Sequence, residues 1–108
     1  MSETFLFKRV AHRDYSRVWK QEEFCDVALV GDDCERIPAH KLVLVLESEY
    51  CRKRLRKTTT EICIGEADCR DINNILQLIY HGKVDIEQDE VEGFLRIGRK
   101  LEISLTSF

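Results

Sequence analysis

At 108 residues the chain has room for one domain, and a 44% share of apolar residues is enough for a real core. Its 17 basic and 20 acidic residues leave a net charge of −3, which excludes a general attraction to nucleic acid or anionic membrane. The first 60 residues hold 12 basic and 10 acidic side chains and the remainder 5 and 10, so no part is basic enough for a nucleic-acid footprint. Five cysteines, Cys25, Cys34, Cys51, Cys63 and Cys69, are odd in number and lack C-x-x-C spacing. With no signal-peptide pattern at the start, they lead to the expectation of a soluble intracellular domain with reduced thiols. No apolar run approaches the roughly 20 residues of a membrane span.

In chain order, Phe5-Leu6-Phe7 predicts a short strand. Ala11, Tyr15, Val18 and Trp19 recur at helical spacing among Arg13, Asp14, Arg17 and Lys20, predicting a short amphipathic helix with an aromatic edge. Phe24 to Val30 is apolar on both faces except at Asp26, the pattern of a buried strand. Gly31-Asp32-Asp33 marks a turn. Cys34 to Ala39 reads as the returning strand, with Pro38 at its end or on an edge because proline donates no ladder bond. The run Leu42-Val43-Leu44-Val45-Leu46 is open on local grounds: its valines favour a strand, yet a buried helix has the same composition.

Ser48 caps a helix from Glu49 to Lys57 with Tyr50, Cys51 and Leu55 inward. Thr58-Thr59-Thr60 ends it, and Glu61-Ile62-Cys63-Ile64 reads as a short strand. Asp68 or Asp71 caps a long helix whose Ile72, Ile75, Leu76 and Ile79 form one stripe, and Gly82 closes it. Val84 and Ile86 alternate as in a strand. Val91, Phe94, Leu95, Gly98 and Leu101 mark a final helix. No repeat or linker divides the chain.

An ordered set of short motifs resembles the BTB/POZ domain: Phe24-Cys25-Asp26-Val27, then Ile37-Pro38-Ala39-His40-Lys41-Leu42-Val43-Leu44, then Ser48-x-Tyr50, then Ile79-Tyr80-His81-Gly82-Lys83-Val84, and finally Phe94-Leu95 through Leu101-Glu102-Ile103. The resemblance runs from about Phe24 to Leu105. It implies an α+β fold, a cluster of helices flanked by a small sheet, with Leu42–Leu46 helical. Residues 1–23 are similar to the N-terminal strand and helix of dimerising BTB domains in zinc-finger transcription regulators, ahead of a core at 24–108. Phe5-Leu6-Phe7-Lys8-Arg9 is loosely similar to the opening of the tramtrack-type group, without its tryptophan. Glu49 and Cys51 stand where the family usually has proline and an aromatic residue, and Arg56 where a phenylalanine usually follows the leucine.

His40 has no companions at metal-ligand spacing, since Cys34 and Cys51 form no recognised zinc pattern, and no nucleophile signature surrounds it. It reads as a histidine at a helix start whose ring satisfies local backbone groups. His12 and His81 read as surface residues. Asp26 poses a sharper question, because a carboxylate inside an apolar strand costs several kcal/mol unless paired. By the resemblance its partner is Lys41, within the chain or across the dimer, in a charged pocket at the interface. The alternative is a solvated Asp at a strand edge. Arg52-Lys53-Arg54-Leu55-Arg56-Lys57 reads as an exposed charged helix face, with nuclear import or contact with an acidic partner as its other meaning.

Function is thus expected to be association with proteins and not catalysis, with no catalytic residue, metal or cofactor. The resemblance implies a homodimer, or higher oligomer, of a nuclear transcription or chromatin regulator. It also implies recruitment of co-regulator proteins, pairing with related BTB proteins, and no direct contact with nucleic acid or membrane. The expected isologous interface takes Phe5 and Phe7 in strand exchange opposite Val84, Val18, Trp19 and Phe24 as anchors, and Leu42, Val45 and Leu46 at its centre. The alternative is a cytoplasmic substrate adaptor of a cullin-RING ubiquitin ligase. Such adaptors carry a hydrophobic-x-Glu motif, where this chain has Thr59-Thr60-Glu61, and a helical extension after the domain.

Overall fold

A computed structural model of the chain describes residues 3–10, 13–19, 21–33 and 35–107. Among these, two three-stranded sheets enclose four α-helices. In the first sheet β1 (Thr4–Arg9) lies between β5 (Lys83–Glu87) and β6 (Leu105–Ser107), antiparallel to both. The 2-residue side-chain period turns Phe7 inward, where its ring meets Phe94 with centroids 4.8 Å apart. Strand β6 has no counterpart in the sequence reading. The expected extension therefore shares its core with the rest of the chain.

The second sheet places β2 (Val27–Val30) between β3 (Arg36–Ala39), antiparallel, and β4 (Glu61–Cys63), parallel. Pro38 sits on edge strand β3 opposite Ala28, as its missing N–H requires. The strand expected from Phe24 starts later, at Val27, because Glu22–Phe24 forms a 3-10 turn.

Helix α1 (Lys41–Glu47) resolves the ambiguous apolar run. Val43 and Leu44 are buried, so packing overrides the β preference of its valines. Ser48 ends α1 and starts α2 (Glu49–Arg54): its Oγ accepts the Cys51 N–H at 3.1 Å and donates to the Leu101 carbonyl at 2.7 Å. Helix α2 stops before Lys57, since Leu55 turns extended and Arg56 and Thr59 bond to each other. Of the two candidate caps for α3 (Cys69–His81), Asp68 takes the role, accepting the Asp71 N–H at 2.9 Å. Gly82 closes α3 at φ 82°, in the left-handed region that glycine adopts without strain. Ile72, Ile75, Leu76, Leu78, Ile79 and Tyr80 are all buried along α3, each such side chain stabilising by roughly 1.5–3 kcal/mol. Helix α4 (Val91–Lys100) packs beside it.

The helix expected over 11–20 does not form within residues 13–19, where Ser16–Trp19 is a turn. The Asp14 carboxylate accepts the Ser16 N–H at 2.9 Å, an arrangement that competes with helix. The Tyr15 N–H is taken by the Tyr80 carbonyl at 2.9 Å. Ala11, His12, Lys20 and Cys34, named in the sequence reading, lie outside the described residues.

Candidate protein-interaction site

The start of α1 gathers several of the singled-out residues. Asp26 is solvent-exposed just ahead of β2, not a charge inside the strand. One of its oxygens accepts the main-chain N–H of Lys41 at 2.8 Å. The two residues thus meet, but not through their charges: the Lys41 ammonium donates to the carbonyls of Arg56 and Lys57 at 2.9 and 2.8 Å. His40, adjacent, is buried. Its main-chain N–H donates to the Tyr80 hydroxyl at 3.0 Å, and that oxygen lies 2.7 Å from His40 Nδ1. His40 Nε2 lies 3.3 Å from the Gln21 carbonyl oxygen and 3.7 Å from Cys25 Sγ. The thiol beside His40 is therefore Cys25, fifteen residues back in the chain. Burial pushes the Cys25 thiol above its ordinary value, and the carboxylates of Glu22 and Asp26 add to that. Burial likewise holds the Tyr80 phenol well above the ordinary tyrosine range.

The residues expected at an interface separate into two groups. Phe7 and Val84 are buried within the chain, facing each other across β1 and β5. Val18 and Trp19 pack against the core, Trp19 lying 5.0 Å from the Tyr80 ring and 5.2 Å from His81. His81 is accordingly half-buried beneath an aromatic ring instead of lying on the open surface. By contrast Leu42 is 70% exposed, Phe24 64% and Leu46 46%, with Phe5 at the margin of exposure and Val45 half-buried. Leu42 and Leu46 are four residues apart and share one face of α1. Phe24 stands two residues before the Asp26 that bonds to the first residue of that helix. Strand β1 pairs with β5 of its own chain, Phe5 opposite Ile86 and Phe7 opposite Val84, where the resemblance implied pairing with a partner.

A buried ionic cluster escaped the sequence reading. The Glu47 carboxylate, its side chain only 5% exposed, accepts from Arg9 Nη2 at 3.0 Å and from the Tyr15 hydroxyl at 2.8 Å, with Arg13 at 3.6 Å. Arg9 also donates to the Ser104 carbonyl at 2.5 Å, so the Arg9–Glu47 pair ties together β1, the 13–15 segment, α1 and the C-terminal segment. The one signal was an acidic residue closing an otherwise apolar helical run.

A family model described as a BTB/POZ domain matches residues 15–106. This chain belongs to the BTB/POZ family. Protein abrupt of Drosophila melanogaster is 31% identical over 86 residues, covering 77% of this chain and 9% of that protein. Kelch-like protein 4 of Homo sapiens is 29% identical over 90 residues (79% and 12%), and GDNF-inducible zinc finger protein 1 of Rattus norvegicus 29% over 87 (72% and 12%). The match thus spans about a tenth of these relatives' lengths. The solved BTB domain of human gigaxonin superimposes with a TM-score of 0.70 at 27% identity, covering 82% of this chain and 75% of that one. BTB domains are protein–protein interaction modules that self-associate and bind other proteins.

On this BTB domain the basic run is largely engaged with the domain itself. Arg52 pairs with Glu49, Lys53 with Glu102 at 3.5 Å, the Arg54 guanidinium lies 3.8 Å from the Tyr50 ring centre, and Arg56 donates to the carbonyls of Lys53 and Leu55. Glu61 of the Thr59-Thr60-Glu61 segment forms an ion pair with Arg36. Exposed carboxylates of Glu87 and Asp89 and the half-buried one of Glu90 lie within 4.8 Å of one another, and Glu90 is held by Arg70 at 3.1 Å. Such acidic groups are common without an ion.

Proposed function

We propose that this BTB domain joins two copies of its parent chain through the outer face of α1, with Phe24 beside it, in a nuclear transcription or chromatin regulator that recruits co-regulator proteins. The observation that carries this reading is the exposure of Phe24, Leu42 and Leu46 on a domain whose other large side chains are mostly buried or charged. Large apolar side chains in such a setting mark contact surfaces. Likeness to a zinc finger protein supports the regulatory setting. An isologous contact places the same face of both copies together, and β1 would keep its register if it crossed to the partner's β5. Tethering two DNA-binding tails raises effective concentration, with a gain in apparent affinity on the order of 10²-fold. Light scattering over a concentration series tests the dimer: a clean monomer at a concentration on the order of 10 µM would sink it.

The second reading, a cytoplasmic adaptor of a cullin-RING ubiquitin ligase, is favoured by the position of Glu61 on strand β4 at the edge of its sheet. Its test is a cullin pull-down with Glu61→Ala. Capture that depends on Glu61 supports the adaptor, and no capture at all rejects it.

A further inference from the structure

Three donor atoms converge where the turn ahead of β2 meets the start of α1. Cys25 Sγ lies 3.7 Å from His40 Nε2 and 3.6 Å from the Gln21 carbonyl oxygen, and that oxygen lies 3.3 Å from Nε2. Zinc holds sulfur at about 2.3 Å and nitrogen or oxygen at about 2.0–2.2 Å in tetrahedral geometry, so its ligands stand roughly 3.3–3.7 Å from one another. The three observed separations fall in that window together. Cys25 and His40 line a cavity of about 240 Å³ whose wall also includes Glu22 and Asn73, which gives an ion a way in and leaves room for a fourth ligand.

We propose that Cys25 Sγ, His40 Nε2 and the Gln21 carbonyl oxygen form a binding site for a borderline-soft divalent cation, zinc by chemistry, with its fourth position facing the cavity. Binding forms the sulfur–zinc bond and releases the thiol proton to solvent, so the thiol supplies a thiolate ligand. The imidazole proton then resides on Nδ1 and points to the Tyr80 hydroxyl 2.7 Å away, the kind of outer partner that orients a ligating histidine. Glu22 and Asp26 make the surroundings acidic and favour a cation over a bare thiol. Gln21 and Cys25 bracket the turn that presents Phe24, and His40 precedes the helix that presents Leu42. A bound ion would therefore pin the turn against the helix.

The test uses the chain stripped with a chelator and then titrated with zinc against a chromophoric competitor, and in parallel with cobalt(II). The site predicts one zinc per chain and a thiolate-to-cobalt charge-transfer absorption. Cys25→Ser should lose both, Cys63→Ser should keep both, and Tyr80→Phe should weaken zinc roughly 10-fold or more. Circular dichroism shows that each variant is folded. No zinc retained against the competitor, or an absorption that survives Cys25→Ser, overturns the site.

Discussion

The Asp26 carboxylate caps helix α1 from outside it, accepting the Lys41 main-chain N–H at 2.8 Å while the Lys41 ammonium turns to the carbonyls of Arg56 and Lys57. His40, at the N-cap position, makes no side-chain cap of its own, so Asp26 satisfies a helix N–H that the local sequence leaves open. Asp26→Ala should therefore cost about 1 kcal/mol in urea denaturation, as cap losses do, and Asp26→Asn much less, because the amide oxygen still accepts. Dimerisation separates the two uses of the residue. If Asp26→Asn folds normally yet weakens the dimer in light scattering, the charge works across the interface; unchanged association confines Asp26 to the cap.

Glu47 and Arg9 carry the largest expected single-residue cost outside the apolar core. Glu47→Ala leaves the Arg9 guanidinium, its side chain 8% exposed, without its counter-charge, and breaking such a pair costs roughly 3–5 kcal/mol. The double variant Arg9→Met with Glu47→Leu should recover most of that loss, since replacing both charges removes the desolvation cost together with the pair. Thermal and urea unfolding of the single and double variants measure the difference. A Glu47→Ala domain of unchanged stability would show that the cluster contributes nothing.

Leu42→Asp and Leu46→Glu alter side chains that face solvent in the single chain, so each should move stability by no more than about 0.5 kcal/mol. Association should weaken by a far larger factor, since truncating an interface anchor costs about 2 kcal/mol or more. Analytical ultracentrifugation beside a melting curve reads both quantities. Loss of folding, or a dimer of unchanged strength, would remove the outer face of α1 from the interface.

Tyr80 predicts an alkaline limit to stability. Its phenol is buried, hydrogen-bonded to His40 and near Cys25 and Asp26, and is held above the ordinary range. In the unfolded chain it ionises near pH 10, where the folded chain still holds the proton. Above about pH 10 the unfolded state thus binds fewer protons, and stability falls as pH rises; below that it has no slope from this group. Tyr80→Phe should lose about 1–3 kcal/mol at neutral pH through the two unmet bonds at His40, while flattening the alkaline limb. Urea midpoints measured from about pH 8 to pH 11 give the slope.

Where the relevant signal was local, the sequence was a good guide. Ser48, Asp68 and Gly82 mark their helix ends because capping depends on residues within a turn of one another. The stripe of α3 and the alternation of Val84 and Ile86 follow from periodicity alone. Helical spacing misled within residues 13–19 because the Asp14 carboxylate takes the Ser16 N–H in an Asx turn and the Tyr15 N–H goes to Tyr80, sixty-odd residues along the chain. The apolar pattern from Phe24 reads as strand, yet β2 starts at Val27 because a local 3-10 turn over Glu22–Phe24 precedes it. Strand β6 carries too short a pattern to register, and only the open edge of β1 draws it into a sheet.

By itself the sequence determined the family and its α+β fold, through an ordered set of short motifs, and placed most element ends, since periodicity and capping act over a few residues. Tertiary structure alone decided which side chains meet. It set Asp26 against the main chain of Lys41 instead of its ammonium, joined Glu47 to Arg9 across 38 positions, and brought Cys25 to His40 across 15. Contacts at such separations depend on how whole elements pack, and no local preference encodes them.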